Sequence, residues 1–465
     1  MSFILAVAYL EITGVFVSLF IMKAVKYRCS FLELISLSFL FGSMAAVLQL
    51  FIYDILGIEF TLRNILIFLF IFSACSICFF VFNKPGQIRT LSWHRIDRSL
   101  RGTANLFITG ITIQVLWVFF LVLPTPVYSH DAVANYALKA KIFFQSGGIP
   151  TGFFAWPESQ VAHSDYPLFL PLLMTWIYEF TGFNDLTVNL IMPCIYVVFL
   201  GAFYAVLRRF FGIMYSLLSV FLLATIPQLF DYATIIHSDL LLTVFVSCAC
   251  LYMMVYIRSE DKGSLIISSF LFGIALWIKN EAIVFAAAFL AVILISFLRK
   301  EGSFRGNRWG TIVSSFLPLI LIAIPWFAVK FYTGTVNSDI DMTTITATGV
   351  WENIKDIPIL LNLFQQEVFG PKKWNIFWVL FFSVLIWKRR SLWKKEIFYL
   401  TTFLTIAVAG YFTGYMITTG ANIFFYVNTT ISRFMLHFVG ICMFYMMYLA
   451  WSDVKEAVGR MGDVR

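Results

Sequence analysis

The chain reads as an all-α polytopic membrane protein with about thirteen transmembrane helices. Three observations set that class. The 465 residues are 60% hydrophobic and 12% charged, with a mean hydropathy of +0.87, more apolar surface than a water-facing domain can bury. The apolar residues come in continuous runs of bilayer length, not in the short alternating strands of a membrane barrel. The formal charge of +8 sits in short Lys/Arg clusters between runs, the pattern of cytoplasmic anchors and not of a nucleic-acid surface.

Met1 to Met22 is apolar and lacks a small-residue cleavage pattern, so it is expected as a retained first span. Its one acid, Glu11, is expected to face the bundle or the interface. Lys23, Lys26 and Arg28 follow it, and Lys84, Arg89, Arg95, Arg98 and Arg101 follow the third run, which ends near Phe82. These spans and their loop form an N-terminal segment, 1–104. A second segment, 105–465, opens with the run Leu106 to Leu123. Arg208 and Arg209 follow its second span, the fifth of the chain, and Leu240 to Ile257 is the seventh span. Lys279-Asn280-Glu281 interrupts the run from Leu265 to Leu298, after which come Arg299, Lys300, Arg305 and Arg308. Lys388, Arg389 and Arg390 follow the eleventh span.

Placing every basic cluster in the cytoplasm puts the N-terminus outside and Trp451 to Arg465 inside. Two long loops then lie outside, about 124–185 and 332–373. The first contains an apolar stretch, Tyr166 to Phe180. Counting it as a span would invert Arg208, Arg209 and every later cluster. A helix along the membrane surface or re-entering it is expected instead, and Pro167 and Pro171 suit a broken entry. The seven cysteines give no framework: Cys75 with Cys78, and Cys248 with Cys250, lie in apolar runs as packing or lipid-facing residues. No His-Glu-x-x-His or comparable cluster suggests a metal, and no cofactor is expected.

With this topology the polar residues that look out of place share the outer side. Asp131 opens the first loop, and Lys139 and Lys141 follow on a segment with helical spacing at Ala132, Tyr136, Ala140 and Phe143. Lys141 falls on a different face from Asp131. His163 and Asp165 precede the re-entrant stretch. His237 and Asp239 stand at the mouth of the seventh span, Lys279 and Glu281 in the break, and Arg433 near the outer end of the last span. Each has a plainer reading: a surface histidine at His163, a polar turn at Lys279 and Glu281, an arginine reaching lipid headgroups at Arg433. Asp239 is harder to read so, because Leu-Leu-Leu-Thr-Val-Phe follows it at once and leaves it poorly hydrated.

These residues carry a family likeness. Asp131-Ala-Val-Ala-Asn-Tyr-Ala-Leu-Lys-Ala-Lys-Ile-Phe-Phe-Gln-Ser-Gly-Gly, followed by His163-Ser-Asp-Tyr-Pro-Leu-Phe-Leu-Pro-Leu, resembles the GT-C glycosyltransferases of the protein O-mannosyltransferase and aminoarabinose transferase type. His237-Ser-Asp-Leu-Leu, Trp277-Ile-Lys-Asn-Glu-Ala and Ser432-Arg-Phe-Met-Leu-His agree with it. The likeness spans about Leu106 to the C-terminus. It implies a GT-C-like fold, an isoprenoid-phosphate sugar donor, and a glycan, lipid or protein acceptor, with membrane lipids around the chain and no nucleic acid. Asp131 would be the catalytic base on the outer face, Asp239 a second acid lining the site, and Arg433, with Lys279 or His163, the contact to the donor phosphate. Lys141, Asp165, His237 and Glu281 complete the expected substrate-binding set. The sequence departs from the pattern twice: His130 stands where many relatives have a second acid beside the first, and three spans precede the usual core.

The chemistry fits those residue types. A sugar on a lipid phosphate leaves behind a stable anion, so the enzyme must supply a base for the incoming hydroxyl and positive charge for the phosphate. Partial burial is expected to raise the Asp131 pKa toward the working range. Arginine's fork suits a phosphodiester better than a lysine, and direct displacement inverts the anomeric carbon. No Gly-x-Gly-x-x-Gly or Walker lysine is present, which disfavours a nucleotide-sugar donor. A polysaccharide polymerase or ligase acting on lipid-linked substrates is the nearest enzyme alternative, and it would lean on Arg and His more than on a rim acid. A transporter would carry repeats and midplane charges, and neither is visible. Short loops and few cysteines lean toward a bacterial inner membrane.

Overall fold

The computed structural model describes residues 2–82, 100–157, 159–299, 308–335, 346–417 and 423–462. Lys84, Arg89, Arg95, Arg98, Lys300 and Arg305, among the expected cytoplasmic anchors, lie outside the described residues, as do 336–345 of the second outer loop. Every regular element described is helical. Among the described residues, nine helical segments are long and apolar enough to cross a bilayer, and four shorter apolar helices accompany them. The expected thirteen is reached only by counting those four as well.

The first three helices, α1 (Ser2–Ala24), α2 (Phe31–Leu56) and α3 (Leu62–Phe82), follow the three N-terminal runs. α1 and α2 pack closely because small residues face each other. A Cβ on Gly14 would lie 1.7 Å from the Ser38 carbonyl oxygen, and one on Gly42 would lie 2.0 Å from that of Leu10. Ser30 caps α2 by accepting from the Glu33 amide, while Glu33 accepts from the Ser30 amide, a reciprocal pairing of otherwise unpartnered donors. Gly57, at φ +66°, ends α2 in the left-handed conformation that suits glycine. Beyond it α2 is tied to the first loop: Asp54 accepts the Ile149 amide at 2.8 Å, and the Phe60 amide donates to the Gly147 carbonyl at 2.8 Å.

The core opens with α4 (Arg101–Val122). A single π-helical turn, Ala132–Ala137, then runs into α5 (Leu138–Ser146). Ala132, Tyr136, Ala140 and Phe143 all point inward, as their spacing implies. The apolar stretch of the first loop becomes α6 (Phe169–Thr181), 13 residues long. That length covers about 20 Å, short of the ~30 Å hydrocarbon core. All residues from Phe169 to Tyr178 are buried, against α1, α2 and α5, and Trp176 donates its indole N–H to Gln49 of α2 at 3.2 Å. It is a short helix enclosed by protein, not one lying on the surface.

Helices α7 (Asp185–Asn189) and α8 (Ile191–Leu207) form one continuous apolar segment, followed by α9 (Ile213–Ala224) and the short α10 (Pro227–Tyr232). The centre of the bundle is α11 (Ser238–Ser259), buried at every position from Ser238 to Ile257 and packed on α8, α12 (Lys262–Ala275) and α20 (Ile423–Gly462). Between α12 and α13 (Ala282–Leu298) the chain breaks at Trp277. Its carbonyl accepts the Phe169 amide and its indole donates to the Ile322 carbonyl in α14 (Arg308–Thr333). The second loop expected outside forms α15 (Ala347–Lys355), α16 (Ile357–Val368) and α17 (Pro371–Trp374), and α18 (Phe377–Trp387) and α19 (Lys395–Ile417) precede α20.

Candidate active site

Asp131 stands at the head of the π-helical turn, where the Leu138 amide reaches back five residues to Val133. Such turns recur at functional sites because they re-aim neighbouring side chains. Its Oδ2 accepts from Arg433 Nη1 at 2.9 Å and lies 3.3 Å from His237 Nε2, while Oδ1 is 3.6 Å from the exposed His130 ring. The Asp131 side chain remains 35% exposed.

Asp239 lies in the first turn of α11, where the helix dipole favours an anion. It is wholly buried. Its Oδ1 accepts from Lys279 Nζ at 2.9 Å and meets His437 Nε2 at 2.8 Å, and its Oδ2 contacts His237 Nδ1. Lys279 also pairs with Glu281 at 3.1 Å, across the α12–α13 break. The Tyr411 hydroxyl is 2.7 Å from His437 Nδ1. The two acids expected from sequence thus belong to one connected network, with His237 between them.

A polar cavity of about 170 Å³ opens above this network. Asp131, His163, Lys279, Glu281 and Arg433 line it, with Asn135, Tyr136, Tyr166, Tyr426, Thr429 and Thr430. His163 adopts φ +49° and stacks on Tyr166 at 4.4 Å, and its carbonyl accepts from the buried Lys139. Five of the nine expected site residues therefore meet at one cavity. His237 and Asp239 lie behind its wall and do not line it. Asp165 is buried away from it, and Lys141 lies over the Phe183 ring at 5.0 Å.

The structure reverses one electrostatic expectation. Asp131 is not raised toward neutrality. The hydrogen bond with His237, chiefly, together with the charges of Arg433 and His237, holds its carboxyl well below the usual range despite burial. Burial alone was visible in the sequence, and the partners were not.

A second cavity, about 140 Å³ and apolar, lies among α16, α18, α19 and α20. Its walls include Phe364, Trp378, Phe381, Tyr415, Met435 and Phe438. Phe434 borders both cavities, and the Tyr415 hydroxyl on the apolar side meets Thr430 Oγ1 on the polar side at 3.1 Å. His437 and Tyr411 went unassigned in the sequence. His437 had a usable signal: it lies four residues after Arg433, one helical turn along the same face.

Residues 165–327 match the family model described as dolichyl-phosphate-mannose-protein mannosyltransferase, a GT-C family domain. The match covers about a third of the chain and makes that stretch similar to a GT-C glycosyltransferase domain, while the long apolar helices mark a multi-pass membrane protein. The matched stretch contains His237, Asp239, Lys279 and Glu281, while Asp131, His163 and Arg433 lie outside it. Comparison with curated proteins and with solved structures gives no match.

Proposed function

We propose that the protein moves a sugar from an isoprenoid-phosphate carrier to an acceptor hydroxyl, on the extracytoplasmic face of a bacterial cytoplasmic membrane, with inversion at the anomeric carbon. The observation that carries this reading is the meeting of the two cavities at Phe434. An amphiphile with a charged head and a long apolar tail needs both environments side by side. Arg433, at the polar side of that junction, is the phosphate contact, and the apolar cavity takes the isoprenoid tail.

In this reading Asp131 accepts the proton of the acceptor hydroxyl as its oxygen attacks the anomeric carbon. The bond from that carbon to the phosphate oxygen breaks, and the electron pair leaves on the carrier phosphate. Arg433 serves both groups in turn. Engaging the donor phosphate draws it from Asp131, which then loses one of the cations that hold its carboxyl down and becomes a stronger base. The acceptor class stays open among glycan, lipid and protein hydroxyls. Charge placement supports this face: Arg28 and Arg209 gather at the end of α11 opposite Asp239.

Native mass spectrometry with undecaprenyl monophosphate as probe tests the donor. The wild-type protein should retain the lipid, and Arg433→Ala should bind it about 10- to 100-fold more weakly, the loss of a charge-assisted contact. Equal retention by both proteins would overturn the phosphate role. For the face, a cysteine replacing Tyr128, which is 61% exposed, should react with an impermeant maleimide in intact cells above the background of the unmodified chain. Reaction only after lysis would put the site on the other side.

A further inference from the structure

His237 precedes α11 in extended backbone, φ −155° and ψ 139°, so its ring leaves the helix axis and turns toward the loop that carries Asp131. Its side chain is only 4% exposed. Tyr136 and Tyr232 pack edge-on against it, with centroids at 5.6 and 5.4 Å, and hold the ring in place. In that pose Nε2 faces Asp131 and Nδ1 faces Asp239. A ring with a carboxylate against each nitrogen is favoured as the imidazolium.

The charge balance of the cluster agrees. Asp131 from the loop, Asp239 from α11 and Glu281 from the α12–α13 break bring three negative charges. Lys279 from the same break and Arg433 from α20 bring two positive ones. A neutral His237 would leave one uncompensated charge in a largely buried group, and an imidazolium closes the balance. The other titratable groups facing the cluster are His437 on α20, its partner Tyr411 on α19, Tyr136, Tyr232, the exposed His130, and His163, Tyr166 and Tyr426 across the cavity. Burial opposes protonation of His237, but the charge of Asp239 and the hydrogen bond with Asp131 outweigh it and push its pKa up.

We propose that His237 is a positioning residue for the base, a fixed imidazolium clamped between Asp131 and Asp239 that orients the Asp131 carboxylate and keeps it ionised without touching substrate. Asp239, Lys279 and His437 act behind it, fixing the clamp from the buried side. This inference rests on reading Asp131 as the base.

The test is the pH dependence of Asp131 modification by dicyclohexylcarbodiimide in the purified protein, read by peptide mass spectrometry. The reagent attacks protonated carboxyls only. In the wild type, Asp131 ionises below the ordinary carboxylate range, so labelling at pH 5 should be negligible. His237→Asn and His237→Gln remove the largest lowering influence and leave burial, which raises, so the labelling midpoint should climb by about one pH unit or more. Asp239→Asn makes no contact with Asp131. It should shift the midpoint the same way by less, because His237 loses the partner that keeps it charged.

A merely structural His237 would leave the midpoint unchanged in variants that remain monodisperse, and that result overturns the proposal. If the His237 variants do not fold, Asp239→Asn decides alone. The labelling does not depend on turnover. An unmoved midpoint removes the clamp and leaves Asp131 as a base, whereas normal transfer by an Asp131→Asn enzyme removes the base whatever the labelling shows.

Discussion

A buried carboxylate lies at each end of α11, Asp239 on the helix itself and Glu33 on α2 beside it, and the two are used differently. Near the C-terminal end, Tyr252 donates to Glu33 Oε1 at 2.8 Å, Tyr27 donates to the same oxygen at 2.5 Å, and Arg209 reaches both oxygens at 3.0 Å. The Ser30 amide adds a fifth bond at 3.2 Å, and Arg209 also donates to the Arg28 carbonyl and lies over the Tyr27 ring. Glu33 is 2% exposed and both its oxygens are occupied. About 20 Å along the helix, Asp239 is as deeply buried, but its network ends at Asp131, whose side chain is 35% exposed on a cavity. Both clusters meet the rule that buried charges must be paired. The one around Glu33 is closed and ties α2 to α11. The one around Asp131 leaves a carboxylate and an arginine able to change partners, which is what a reacting group requires.

Breaking the open end should have the larger effect on chemistry. Asp131→Asn keeps the side-chain shape and removes the charge and the proton acceptor, so sugar transfer should fall about a thousandfold at unchanged membrane expression. Turnover by purified protein, normalised to the folded fraction, measures it. Near-normal turnover would mean that the open carboxylate is no more than another structural pair, and the contrast between the two ends would fail.

Much of this contrast was legible in the sequence, though unevenly. The long spans were placed within a few residues, as at Ser2–Ala24, Arg101–Val122 and Ser238–Ser259, because a bilayer demands about 20 apolar residues and so large a signal is hard to mistake. Phe169–Thr181 was ambiguous for the converse reason: an apolar run looks alike whether lipid or protein surrounds it, and here protein does. Asp131, Lys279, Glu281 and Arg433 stood out as charges at the rims of apolar runs, and the fold brings them to one cavity. Lys141 stood out equally and ends over Phe183, since charge without a known helix rotation does not fix direction. His437 sits in an apolar helix with nothing in its own neighbourhood to name Asp239, 198 positions earlier, as its partner. Glu33 and Arg209 read as ordinary residues beside spans. Their pairing across 176 positions is a product of the fold alone.

Breaking the closed end should cost stability and leave chemistry alone. Glu33→Ala strands Arg209, whose side chain is only 20% exposed, and removes the acceptor for two tyrosine hydroxyls. The expected loss is about 3 kcal/mol, because a buried charge left without its partner costs more than the pair ever contributed. Glu33→Gln should lose less, since the amide oxygen still accepts from Tyr27 and Tyr252, although its NH2 then meets the Ser30 amide and Arg209 as a second donor. Thermal unfolding in detergent ranks the two variants, and transfer per folded molecule should match the wild type in both. A Glu33→Ala protein that melts normally but transfers poorly would reverse the assignment. The cluster joining α2 to α11 would then act on the site through the helix they share, and the N-terminal helices would have to be counted as part of the catalytic apparatus.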